Sequence, residues 1–163
     1  DGDYVDIYLY DSLSSGAGYA VSMASQIGTL LHKTREILEG CDCESACHKC
    51  LKHYRNQFVH NMLDRKAALN LLDWGERGIL PLPLTVSEQT HILFPLSHIL
   101  QQSGVDVQFV GDKITVSGCW NQKDLIVYPA MWAKPNRANT LFIIDAQIKY
   151  EKPLALQQIL ETI

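Results

Sequence analysis

The sequence predicts an α+β chain in two parts. The first reads as a helical module of strand, long helix, four-cysteine knuckle and two helices; the second reads as a small domain of antiparallel strands plus helix. Three observations predict this. Helical spacing of apolar residues dominates positions 19–77, whereas hairpin alternation appears from position 105. Four of the five cysteines fall between positions 41 and 50. Gly78 and the run Pro81-Leu82-Pro83 then separate the halves, which places the boundary between residues 1–80 and 81–163.

The elements follow in order. Residues 4–10 alternate large β-formers with polar residues, as a strand does. Ser14, Ser15, Gly16 and Gly18 supply small, permissive residues for a turn. From 19 to 39 the positions Ala20, Ala24, Ile27, Leu31 and Leu38 keep helical spacing, and Gly40 is a natural stop. After the cysteines, Leu51, Tyr54, Phe58 and Met62 suggest a short amphipathic helix. Asp64 then fits the N-cap of a helix over 65–77. Thr85 and Glu88 have capping-box spacing for a helix toward 102, with Pro95 marking a kink or a start. Residues 105–110 and 113–117 flank Gly111-Asp112 as a hairpin. Residues 125–128 and 141–148 read as two further strands, and 154–163 as a closing helix.

Composition sets bounds on function. A chain of 163 residues, 47% apolar and 20% charged, is an ordinary globular sequence. No apolar run reaches the roughly 20 residues that cross a bilayer, so no membrane partner is expected. No leader peptide is visible, and a bacterial cytosolic or nucleoid location is expected. The net charge of -4 argues against a protein that coats nucleic acid, although it leaves room for a local basic surface.

Cys41, Cys43, Cys47 and Cys50 form the pattern C-x-C-x3-C-x2-C. Four thiolates close a tetrahedron around zinc and leave no position for water or substrate, so the expected ion is one structural zinc per chain. Iron–sulfur ligation uses other spacings, disulfides between such near neighbours are strained, and His48 is an alternative donor that four thiolates make unnecessary. Cys119, alone, reads as a buried thiol.

The ordered combination of the glycine turn, the long helix, the knuckle with Cys47-His48-Lys49-Cys50-Leu51, then Asn56-Gln57 and Leu63-Asp64-Arg65, resembles the MrfA-type zinc-binding domain. The resemblance covers roughly residues 4–75. It implies a place near the C-terminus of a superfamily 2 DNA helicase, of the kind found in DNA repair and in Druantia- or DISARM-like antiviral defence. It also implies partners: helicase motor domains of the same or an associated polypeptide, and DNA. No phosphate-binding loop of the form G-x-x-x-x-G-K-[ST] is present, so ATP hydrolysis is expected outside this segment, which is itself expected to be non-catalytic. Gly16-Ala17-Gly18 reads as a tight turn rather than a phosphate cradle.

Between positions 48 and 66, Lys49, Lys52, Arg55, Arg65 and Lys66 face the single acid Asp64. Lys49, Lys52 and Arg55 are the DNA-contact candidates; the plainer reading makes Tyr54 and Phe58 core and the cations a solvated face. A second functional pattern lies in 85–163. Asp124 leads one strand, while Asp145, Gln147 and Lys149 would share a face of the next, as in a metal-dependent PD-(D/E)xK nuclease. A protein-interaction module within a defence complex is the third reading, with Trp120, Tyr128 and Trp132 serving its surface or its core.

Overall fold

In the computed structural model, which describes residues 6–11, 16 and 18–163, the chain divides into two units, Asp1–Gly78 and Ile79–Ile163. Both helices and a four-stranded sheet are present, so the class is α+β.

The first unit opens on a turn. Gly16 and Gly18 lie at φ +63° and +75°, which glycine adopts without a side-chain clash. Asp11 closes that turn by accepting from the N–H groups of Gly18 (3.0 Å) and Ala20 (3.3 Å). Asp11 thus occupies the Gly18 and Ala20 amides with a carboxylate of the chain itself. The strand expected over 4–10 does not form across residues 6–10; residues 4 and 5 lie outside the described residues. A strand needs a hydrogen-bonding neighbour, and among the described residues this unit has no other strand.

The long helix is two: α1 (Tyr19–Ala24) and α2 (Ile27–Glu39). The break falls at Ser25, whose hydroxyl donates to the Ser22 carbonyl at 2.9 Å and so competes with the helical ladder. A 3-10 helix, Tyr54–Val59, stands where a short amphipathic helix was expected. Next comes α3 (Arg65–Arg77), and its N-cap Asp64 accepts from the N–H groups of Lys66 (2.9 Å) and Ala67 (3.1 Å). Gly78 ends α3 in the left-handed region, at φ +68°. Leu38 of α2 and Leu72 of α3 are buried. Arg35 bridges the same two helices, reaching Asp73 at 2.8 Å and Glu76 at 2.6 Å.

The second unit begins with α4 (Val86–Gln102), whose capping box between Thr85 and Glu88 is complete. Pro95 lies inside α4 on its exposed side, where water can satisfy the carbonyl that its missing N–H leaves. Strands β1 (Asp106–Val110) and β2 (Lys113–Ser117) form the expected hairpin, with Val110 opposite Lys113. β3 (Gln122–Tyr128) continues antiparallel, but β4 (Thr140–Ile144) runs parallel to β3, so the sheet is mixed rather than wholly antiparallel. The 11 residues between β3 and β4 carry the chain back to the same end, which a tight hairpin would not allow. Two helices, α5 (Asp145–Tyr150) and α6 (Lys152–Leu160), complete the unit. Leu93, Leu96 and Leu100 of α4 share one core with Val116, Leu125 and Ile143 of the sheet and with Ile148 and Ile159 of the closing helices.

Candidate metal centre and basic shoulder

Helix α2 stops at Gly40, and the next residue, Cys41, is buried at the base of a tight loop. Cys41, Cys43, Cys47 and Cys50 bring four sulfur atoms within 4.8 Å of one another. The Sγ separations are 3.4 Å for Cys41–Cys47, 3.6 Å for Cys43–Cys50 and 3.9 Å for Cys47–Cys50. Four sulfurs at about 2.3 Å from a central zinc lie about 3.8 Å apart, so the cluster has the dimensions of a tetrahedral shell. They also lie far beyond the ~2.05 Å of a disulfide.

Backbone amides point into the same cluster. Cys47 N–H donates to Cys50 Sγ at 3.3 Å, and Lys49 N–H to Cys47 Sγ at 3.4 Å. The Lys49 N–H, foremost, pulls the Cys47 thiol down to about 7, whereas burial, foremost, pushes the Cys43 thiol up to about 12. Four sulfurs gathered this closely suit a divalent ion that offsets their charge, so the donor set fits a metal.

Helix α3 holds the knuckle from outside. The Arg65 guanidinium donates through Nε to the Cys43 carbonyl at 2.7 Å and through Nη1 to the Leu38 carbonyl at 3.2 Å, while its backbone N–H reaches the Ser45 carbonyl at 2.7 Å. Asp64 caps α3 and Arg65 clamps the loop, which removes both from the basic patch that the sequence suggested. In the sequence Arg65 is one more cation, and nothing in its spacing shows that its partner is a carbonyl 22 residues earlier.

The family model of the MrfA Zn-binding domain matches residues 2–51. The matched segment holds all four cysteines, and their placement to hold a metal ion, with the match to a Zn-binding domain, supports structural zinc. A Druantia protein, DruE, of Escherichia coli (strain UMEA 4076-1) is 38% identical over 104 residues, 64% of this chain. The chain spans 6% of that relative's length. No solved structure matches the chain.

Of the basic candidates, Lys49 lies within the matched segment and Lys52 and Arg55 follow it. Lys49 and Arg55 are exposed and Lys52 half-buried, and none of the three side chains has a hydrogen bond or ion pair with the described residues. Tyr54 and Phe58 are exposed rather than core. They stand on a six-residue 3-10 helix kinked at Asn56, in place of the amphipathic helix that would have turned them inward.

The nuclease constellation is not assembled. β4 ends at Ile144, and Asp145, Gln147 and Lys149 stand on α5, not on a strand. Residues two apart on a helix diverge, so Gln147 and Lys149 do not share a face. Asp145 Oδ1 accepts from Ala130 N–H at 2.9 Å and its Oδ2 from Lys149 Nζ at 3.2 Å. Asp124 lies opposite Thr140, at the far end of β4, about 17 Å from where Asp145 begins its helix. Two further expectations also change. Cys119 is exposed rather than buried, next to the exposed Trp120. Tyr128 is buried, and that burial raises its phenol; Trp132 is half-buried, its ring N–H donating to the Pro81 carbonyl at 2.9 Å.

Among the described residues, no helix is long and apolar enough to cross a membrane.

Proposed function

We propose that the chain is a non-catalytic accessory region of a larger defence protein, in which one zinc held by Cys41, Cys43, Cys47 and Cys50 fixes a DNA-positioning surface beside a helicase motor. The observation that carries this reading is the juxtaposition at the knuckle: four sulfurs at tetrahedral spacing, with Lys49, Lys52 and Arg55 unpaired on the same short segment. Zinc closes its own shell and offers no open position, so its role is to hold the loop. The cations then meet phosphates in a fixed arrangement, which positions a strand without reading its sequence. The relative's name supplies the defence context, and the MrfA-type resemblance supplies the motor.

Two units fit this role, residues 1–80 as the zinc module and 81–163 as a small α+β domain. The test is DNA binding by the zinc-loaded chain across a salt series. Charge reversal at Lys49, Lys52 and Arg55 together should weaken binding and reduce the slope of log K against log salt by about 2. Unchanged affinity and slope would refute the positioning role.

A further inference from the structure

Tyr54 and Phe58 are 84% and 82% exposed, although each side chain is large enough to anchor a core. Neither ring hangs from a loose loop. His53 N–H donates to Asn56 Oδ1 at 2.8 Å, and Asn56 Nδ2 donates to the Leu51 carbonyl at 2.8 Å. Arg55 N–H donates to His53 Nδ1 at 3.1 Å, and His60 Nε2 lies 2.9 Å from Asn56 Oδ1. Lys52 N–H reaches back to the Cys47 carbonyl at 3.0 Å, which ties this turn to the metal knuckle. The fold therefore presents two aromatic rings to solvent from an anchored platform.

Cations flank the rings in sequence. Lys49, Lys52, Arg55 and Lys66 have side chains without an ion pair among the described residues, and Asp64 is engaged as the cap of α3. The opposing charge, Asp42, Glu44 and the zinc-bound thiolates, is gathered on the knuckle loop. Rings beside unpaired cations suit a ligand that offers planar faces along a chain of anions. Duplex DNA keeps its base faces stacked on one another; a single strand can turn them outward onto side chains.

We propose that Tyr54 and Phe58 form a base-stacking platform for single-stranded DNA, with Lys49, Lys52 and Arg55 tracking its phosphates. This rests on the positioning role given above and names its substrate as the unpaired strand. Because both rings are exposed, their removal leaves the fold and its zinc in place.

The test measures binding of the zinc-loaded chain to a labelled single-stranded DNA, a duplex of equal length and a single-stranded RNA. Tyr54→Ala and Phe58→Ala should each weaken single-strand binding about 5- to 100-fold and leave duplex binding unchanged, while Tyr54→Phe and Phe58→Tyr restore it. Reversing Lys49, Lys52 and Arg55 should weaken single strand and duplex alike. Wild-type affinity in both alanine variants, with salt-sensitive DNA binding intact, would assign the rings to a protein contact and overturn this proposal alone. A preference for RNA would overturn the choice of DNA. No nucleic-acid binding by the wild-type chain would overturn both this proposal and the positioning role.

Discussion

Arg65 shows how much one side chain can change in meaning between sequence and fold. As a letter it is one of five cations between positions 48 and 66; in the structure it is the strut that ties α3 to the carbonyls of Leu38 and Cys43. Its rigid, planar guanidinium reaches the two acceptors from separate nitrogens, whereas a lysine would have to serve both from one compact ammonium on a flexible stem. Arg65→Ala should speed zinc loss to a chelator by about tenfold or more, and Arg65→Lys should recover only part of that. Stopped-flow transfer of zinc to a chromogenic chelator measures it; wild-type rates in Arg65→Ala would show that the knuckle stands without its strut. At the ligands, Cys43→Ser or Cys50→Ser should abolish stoichiometric zinc, read by metal analysis of the purified chain.

At the scale of elements, the parts legible in the sequence were those set by local chemistry. Asp64 and Gly78 mark both ends of α3, and Thr85 with Glu88 marks the start of α4. The Gly111-Asp112 turn fixes the hairpin register, because its left-handed Gly111 at φ +61° permits the two-residue connection. Less legible was what depends on distant partners. Residues 6–10 have β-forming alternation but no neighbouring strand among the described residues of their unit, and the run 141–148 is apolar enough to hide where β4 becomes α5. The same ambiguity produced the nuclease reading, since i and i+2 share a face only if the strand continues. The cysteine cluster was legible because its ligands are near neighbours; Arg65 was not, because its partners are remote. Thr85→Ala should lower the stability of the second unit by about 1 kcal/mol through loss of the cap. Ile143→Ala, at a fully buried position of β4, should lower it by about 2–5 kcal/mol. Chemical denaturation of the chain checks both.

For the whole molecule, the two units differ in what holds them together. Residues 79–163 have a sheet, three helices and a shared apolar core. The described residues of the first unit bury far less, with Leu38, Cys41, Ala46 and Leu72 as their buried apolar side chains. A small core of that kind needs a cross-link, and the four-cysteine knuckle supplies one. Chelation of zinc should therefore melt helix in the first unit while the second keeps its cooperative thermal transition. Far-UV circular dichroism, before and after chelation, would follow it; unchanged helix content would mean that the zinc is dispensable to the fold. The net charge of -4 likewise conceals an uneven distribution, because four acids precede residue 12 and the unpaired cations gather beside the knuckle.

Zinc-edge X-ray absorption on the purified chain probes the closed zinc–thiolate shell itself. One zinc per chain with four sulfur neighbours at about 2.3 Å is the expected result. Substoichiometric zinc, a different metal, or nitrogen and oxygen in place of sulfur would contradict it.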